Sequence, residues 1–398
     1  MQISEPKKNT EQGRGLNHPV WQLAFRAFFL AGAAFSAISV GLWVLQLVDE
    51  VSLPQAVLPS LVWHAHEMIF GFAALIAVGF ILTAVQTWTG RPSIKGLPVM
   101  ILLFVWALIR GLLFVNTSET VLLALALLLS WWGYVVATYA SIVITAHNRR
   151  NYLFIPLLVA LGSLDLISLS LAFIGKYDVS MHLMRSAVLL FTVIMGVVGG
   201  RVIPFFTVRG ANTQVKDSLP WLEKSLLPVA ISGISVFILG YFITLPFTPA
   251  ALMILAGMLH LIRMTRWSSA TTLSVPLLWS LHISYALMAL GLIALGLSYQ
   301  VAILSFSSAL HLITLGAIGL MIIAMMSRVS LGHTGRMLVV KPQIVIAFLC
   351  LITAALLRFV LPILGLPLEA WVFSAVLWVI AFSIFFITYW PVLTAPRQ

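Results

Sequence analysis

Histidines inside apolar runs are the first residues of this chain that could do chemistry, because an ionisable group held in lipid is expensive and marks a functional candidate. The run WHAHEM carries His64, His66 and Glu67, PLLWSLHISY carries His282 and Tyr285, and HLITLGAIG begins with His311. Imidazole is a good ligand for iron and copper, and the neutral ring tolerates a low dielectric better than a carboxylate. Counted at about 1.5 Å per residue from the ends of their runs, His64, His66 and His311 fall at similar depth. His282 falls nearer the middle, and His260 and His333 fall toward the opposite face. A lone membrane histidine most often makes an interhelical hydrogen bond, whereas three at matched depth suit a metal centre. Residues two apart on a regular helix point about 200° apart, so His64 and His66 are expected to serve different neighbours, one on each face. Glu67 then shares the face of His64. Tyr285 shares the face of His282, where it either donates a hydrogen bond or proton or simply packs.

Four arginines also lie inside apolar runs. Arg26 is near the end of its run and is expected to extend to the headgroups. Arg110, Arg185 and Arg358 lie near the face opposite most other basic residues, where a guanidinium suits a bidentate anion such as a haem propionate, with Arg185 the first choice. Extension to lipid headgroups is the competing reading. Asp165 stands alone in its run with no evident partner. Gly316 and Gly319 follow His311 at helical spacing and admit either a flat macrocycle or, more commonly, another helix. Pro204 in GGRVIPFFT cannot donate to the carbonyl of Gly200, and it marks a kink or, more simply, a helix end.

The elements that must position these groups are membrane helices. Of the 398 residues, 61% are apolar and 8% charged, a composition that a soluble chain of this length does not have. The expected fold class is all-α and polytopic, one transmembrane domain over 1–398 with a polar N-terminal segment at 1–20. About twelve spans are read: Trp21–Val48, Leu58–Val85, Gly96–Val115, Thr120–Ala146, Tyr152–Ile174 and Met181–Thr207. The second half gives Trp221–Ile243, Phe247–Met264, Leu273–Ser298, Ala302–Arg328, Pro342–Leu364 and Leu368–Leu393. Seventeen Lys and Arg, from Lys7, Lys8 and Arg14 to Arg397, fall in or beside the loops of one side, and only Lys176 falls on the other. The positive-inside rule therefore places both termini in the cytoplasm. This distribution also explains the +11 net charge without nucleic acid. The start of the chain does not read as a cleavable signal. Cys350 is the only cysteine, which excludes a disulfide framework and covalent c-type haem. No internal repeat and no soluble domain are evident.

FRAFFL, WHAHEMIFGF, GFILTAVQTWTG, GGRVIPFFT, PLLWSLHISY and HLITLGAIGLMIIAMMSRVSLGHTGR, in order from about Ala24 to Arg336, resemble the NnrS family. The resemblance implies a multi-pass bacterial inner-membrane protein holding b-type haem and copper and acting in the nitric oxide and nitrosative-stress response, often alongside denitrification. It implies His64, His66, His282, His311 and His333 as the metal-binding histidines. His333 lies in the GHTGR turn, remote from the others, where a structural role is preferred. Ala27, Gln86 and Thr87 depart from the family's usual residues without touching a candidate ligand. The expected activity is binding or redox conversion of nitric oxide, with Glu67 and Tyr285 as catalytic candidates. A nitric-oxide-transforming oxidoreductase is one form of it, drawing electrons from quinol or another donor. A secondary transporter of a metal, haem or small anion is the alternative, weakened by the absence of recognisable halves.

Overall fold

The computed structural model describes residues 15–398, so Lys7, Lys8, Arg14 and most of the polar N-terminal segment lie outside the described residues. Among the described residues there is no strand, and twelve helices follow one another through short loops. They are α1 (Ala24–Leu47), α2 (Ser60–Thr89), α3 (Leu97–Val115), α4 (Ser118–Thr145), α5 (Phe154–Phe173) and α6 (Tyr177–Gly210). Then come α7 (Pro220–Phe242), α8 (Ala250–Met264), α9 (Pro276–Leu297), α10 (Phe306–His333), α11 (Pro342–Ile363) and α12 (Pro367–Thr394). Eleven of the twelve are long and apolar enough to cross a membrane; the exception is α8. Its 15 residues rise about 22 Å, short of the ~30 Å hydrocarbon core. The expected span began at Phe247, but Pro249 takes the cap position and the helix starts after it.

Local chemistry accounts for many of the helix ends. Proline occupies the first turn of α3, α7, α9 and α11, where its missing N–H costs nothing. Thr117 opens α4 with a capping box to Thr120. Between α3 and α4, Asn116 takes a left-handed conformation and turns its side chain onto the α1–α2 loop. Its Oδ1 accepts from Leu58 N–H at 2.8 Å, and its Nδ2 donates to the carbonyls of Pro54 and Leu58. One buried amide thus fixes where α2 begins. Pro204 does not end α6, which continues to Gly210. A helix in this apolar setting keeps its remaining backbone bonds because no water competes for them.

Two helices depart from α geometry. α2 is π-helical over Glu67–Ala73, and α10 over Leu312–Gly319. Each π segment directly follows a candidate histidine, His66 or His311. A π segment displaces one face of a helix and frees carbonyls from the regular ladder, and such segments are frequent at functional sites. In α2 the carbonyl of Gly71 is taken up by the indole of Trp106 on α3 at 2.9 Å.

The chain divides into two compact units. The first comprises residues 1–184, 329–338 and 385–398, and the second comprises 185–328 and 339–384. In the first, Arg26 is fully buried rather than extended to headgroups, correcting the expectation for that residue. It donates to the carbonyls of Leu393 and Ala395, tying α1 to the end of the chain, and Gln398 N–H bonds Thr334 O.

Candidate functional site

The first unit contains a buried charged cluster built on the α2 π segment. His66 is held between two carboxylates: Nδ1 lies 3.0 Å from Glu67 Oε1, and Nε2 lies 2.8 Å from Asp165 Oδ1 on α5. Glu67 Oε1 also accepts from Arg110 Nη1 of α3 at 2.8 Å, and Asp165 Oδ2 accepts from Trp132 Nε1 of α4 at 2.9 Å. His66, Glu67 and Asp165 are each 1% exposed or less. Four helices therefore meet at one polar knot. Carboxylates are acceptors, so a ring bonded to one at each nitrogen donates from both, and the imidazolium form balances the cluster: Arg110 and His66 against Glu67 and Asp165. Gly71 makes room for it, since a Cβ there would come within 3.0 Å of both Arg110 Nη1 and Glu67 Oε2.

Sequence reasoning singled out His66, Glu67 and Arg110 but did not join them. Asp165, which looked partnerless, supplies the second carboxylate. In this arrangement His66 has no nitrogen left for a metal. His64, two residues earlier, points elsewhere as expected and stacks on Trp43 with ring centroids 4.0 Å apart and planes 20° apart. Glu67 sides with His66 rather than with His64, because the helix changes pitch between them. His333 is half-buried against Phe25, with ring centroids 5.5 Å apart.

The second unit holds two further groups. At α8 and α9, Tyr285 OH lies 2.7 Å from His260 Nδ1 and accepts from Arg263 Nη1 at 3.2 Å. Arg263 also donates to Gly196 O at 2.7 Å and grips both oxygens of Glu223 on α7. Gly196, Gly199 and Gly200 of α6 face this network, and a Cβ on any of them would press on His260, Tyr285 or the Arg263 guanidinium respectively. Tyr285 thus partners His260, not His282. Sequence reasoning missed Glu223 and counted Arg263 only among the basic residues of one side; the available signal was that Arg263 follows His260 at helical spacing. His282 sits only two turns into α9, nearer its end than expected, between the hydroxyls of Thr207 and Ser269, each at 2.8 Å.

The other group gathers at the start of α10. His311 Nδ1 lies 2.7 Å from the carbonyl of Ser307, which fixes that nitrogen as the N–H and puts the lone pair on Nε2. Metal-ligating histidines usually donate their other N–H to such an acceptor, and His147 makes the same kind of local bond to the carbonyl of Ile144 at 3.0 Å. Arg358 of α11 donates from Nη2 to Ser307 Oγ at 3.3 Å, and its guanidinium lies 5.6 Å from the Trp371 ring. Arg185 of α6 is exposed and lies 5.6 Å from the ring of Phe306, which also meets Tyr299 edge-on. Burial pushes the Tyr299 phenol upward, and the Arg185 charge opposes the shift. Gly316 and Gly319 serve helix packing, because Cβ atoms there would meet Ala355 and Leu287, and Trp378.

Among the described residues, no three His, Cys, Asp or Glu side chains are placed to hold a metal ion together. No curated protein matches the chain. The NnrS protein family model, however, matches residues 19–397, nearly the whole length, so the chain belongs to the NnrS family of membrane proteins.

Proposed function

We propose that this protein is a bacterial inner-membrane haem protein of nitric oxide metabolism or nitrosative-stress resistance, with both termini in the cytoplasm. Its activity would be the binding or redox conversion of nitric oxide. The observation that carries the reading is His311, whose ring is oriented by Ser307 O with its lone pair on Nε2, inside a chain that matches the family end to end. His311 is the residue we assign to hold a b-type haem. That haem would supply an iron that binds nitric oxide, and a noncovalent haem agrees with a chain whose one cysteine is Cys350.

This chain's own residues supply the surroundings. Ser307 sets the tautomer of His311, and Arg358 brings positive charge to the same turn. For copper the fit is poorer, because the described residues bring no three ligands together. Electrons would come from quinol or a separate donor.

Absorption spectroscopy with metal analysis on the purified, haem-supplied protein tests the reading. A Soret band is expected, with all of its haem extracted by acid-acetone. His311→Ala should lose most of the band, and His147→Ala, at an exposed turn, should keep it. Absence of the band in wild type would refute haem binding and favour the transport reading. A full band in His311→Ala would refute the ligand assignment alone.

A further inference from the structure

The two π-helical stretches coincide when one is laid along the other. Placing Gly316 on Gly71 also places His311 on His66, Leu312 on Glu67, Thr334 on Thr89 and Gly335 on Gly90. The π segments then begin together, at Glu67 and Leu312. Both helices end alike: Thr89 and Thr334 bond the carbonyl four residues back, and Gly90 and Gly335 follow with φ of 70° and 78°. The next helices, α3 and α11, begin at Leu97 and Pro342 in the same register, and α4 and α12 are each 28 residues long. Such agreement in an uncommon backbone form, a residue pattern and a helix end is the pattern expected of two copies of one unit, α2–α4 and α10–α12.

The copies differ in how their arginines are answered. Arg110 in the first copy lies against Glu67. Arg358 in the second lies one turn further along its helix and correspondingly touches Ser307, about one turn before Leu312. Leucine stands where the first copy has its glutamate, and the one acid of the second copy, Glu369, lies away from Arg358. The acidic residue near Arg358 in sequence is Glu369 at the start of α12, which is exposed and makes no ion pair with it. Arg358 is 7% exposed, and Ser307 Oγ is its hydrogen-bond partner among the described residues. A largely buried guanidinium with a single hydroxyl partner in the chain turns its remaining N–H groups to the surface, where a counter-charge from outside the chain can meet them. Its fork matches a planar, two-oxygen anion, and the Trp371 face closes one side.

We infer that Arg358, Ser307 and His311, beside Trp371, form an anion-binding subsite of the second unit that takes a planar carboxylate-type monoanion. The anion has two possible sources. One is a carboxylate at the edge of a bound cofactor, which rests on the haem reading above; the other is a free anion such as nitrite or formate, which does not.

Ser307→Asp decides the matter, because it sets a carboxylate where Oγ already meets Arg358, at an exposed position that tolerates the change. The full chain, in nanodiscs of zwitterionic phosphatidylcholine, is titrated with sodium nitrite and with sodium formate while thermal stability and absorption are recorded. A saturable rise in melting temperature in wild type that is lost in both Ser307→Asp and Arg358→Met supports a free-anion site. No response in wild type, together with altered cofactor content or spectrum in Ser307→Asp, supports a cofactor carboxylate. An equal response in wild type and both variants overturns the proposal. So does no response in wild type with an unchanged spectrum in Ser307→Asp.

Discussion

Replacing Asp165 probes the buried cluster of the first unit most directly. The carboxylate is 1% exposed and accepts from His66 Nε2 at 2.8 Å and from Trp132 Nε1 at 2.9 Å. Asp165→Ala leaves an indole N–H and one side of the imidazole unanswered in a dry interior. Hydrogen bonds to charged groups contribute about 1.5–3 kcal/mol each, and breaking a buried pair costs about 3–5 kcal/mol. The expected loss is therefore about 4 kcal/mol, roughly three orders of magnitude in the folding equilibrium. Asp165→Asn should cost much less, about 1–2 kcal/mol, for a reason visible in the geometry. The amide oxygen can still accept from Trp132, its N–H can donate to Nε2, and a neutral His66 can then donate from Nδ1 to Glu67. The measurement is thermal denaturation of the full chain in nanodiscs, followed by tryptophan fluorescence. A double-mutant cycle with His66→Ala should show strong non-additivity, because each variant removes the same bond. Wild-type stability in Asp165→Ala, or an Asn variant weaker than the Ala variant, would refute the pairing.

Two other expectations follow from single positions. A Cβ on Gly200 would overlap the Arg263 guanidinium, a flexible group held by Glu223 and Gly196 O, so Gly200→Ala should cost about 2–4 kcal/mol by breaking those bonds; denaturation that shows the same cost in an Arg263→Ala background would refute this cause. The charge distribution between spans predicts a cytoplasmic C-terminus, so alkaline phosphatase fused after Arg397 should be inactive and a cytoplasmic reporter active; the reverse pattern would overturn the orientation.

Span positions were legible because apolar length and loop chemistry are local properties. All twelve helices overlap the runs that were read; α6 extends beyond its run at both ends, to Tyr177 and Gly210, α10 is shifted toward His333, and α8 starts late, after Pro249. The cluster was not legible, because its partners lie far apart in the chain: Asp165 is 99 positions from His66. Sequence shows that a buried acid needs a partner, not which helix brings it. Arg110 illustrates the same limit. Its unusual place suggested an external anion, yet Glu67 on α2 answers it within the chain. The likeness of α2 and α10 escaped notice because few identities carry it, and its register shows only when the π segments and the two glycine-capped ends are compared.

That likeness bears on the choice between chemistry and transport. Repeats are common in secondary transporters, so the shared register returns some weight to that reading. The charges argue in the other direction. A transporter needs ionisable groups that meet substrate from alternate sides, whereas His66, Glu67, Arg110 and Asp165 pair with one another within the first unit and are buried. The second copy has exchanged the acid for Leu312 and keeps Arg358 beside an oriented histidine. The first copy's arginine is paired with an acid inside its unit, and the second copy's arginine has a hydroxyl as its hydrogen-bond partner. Groups so unlike do not make a pair of equivalent gates.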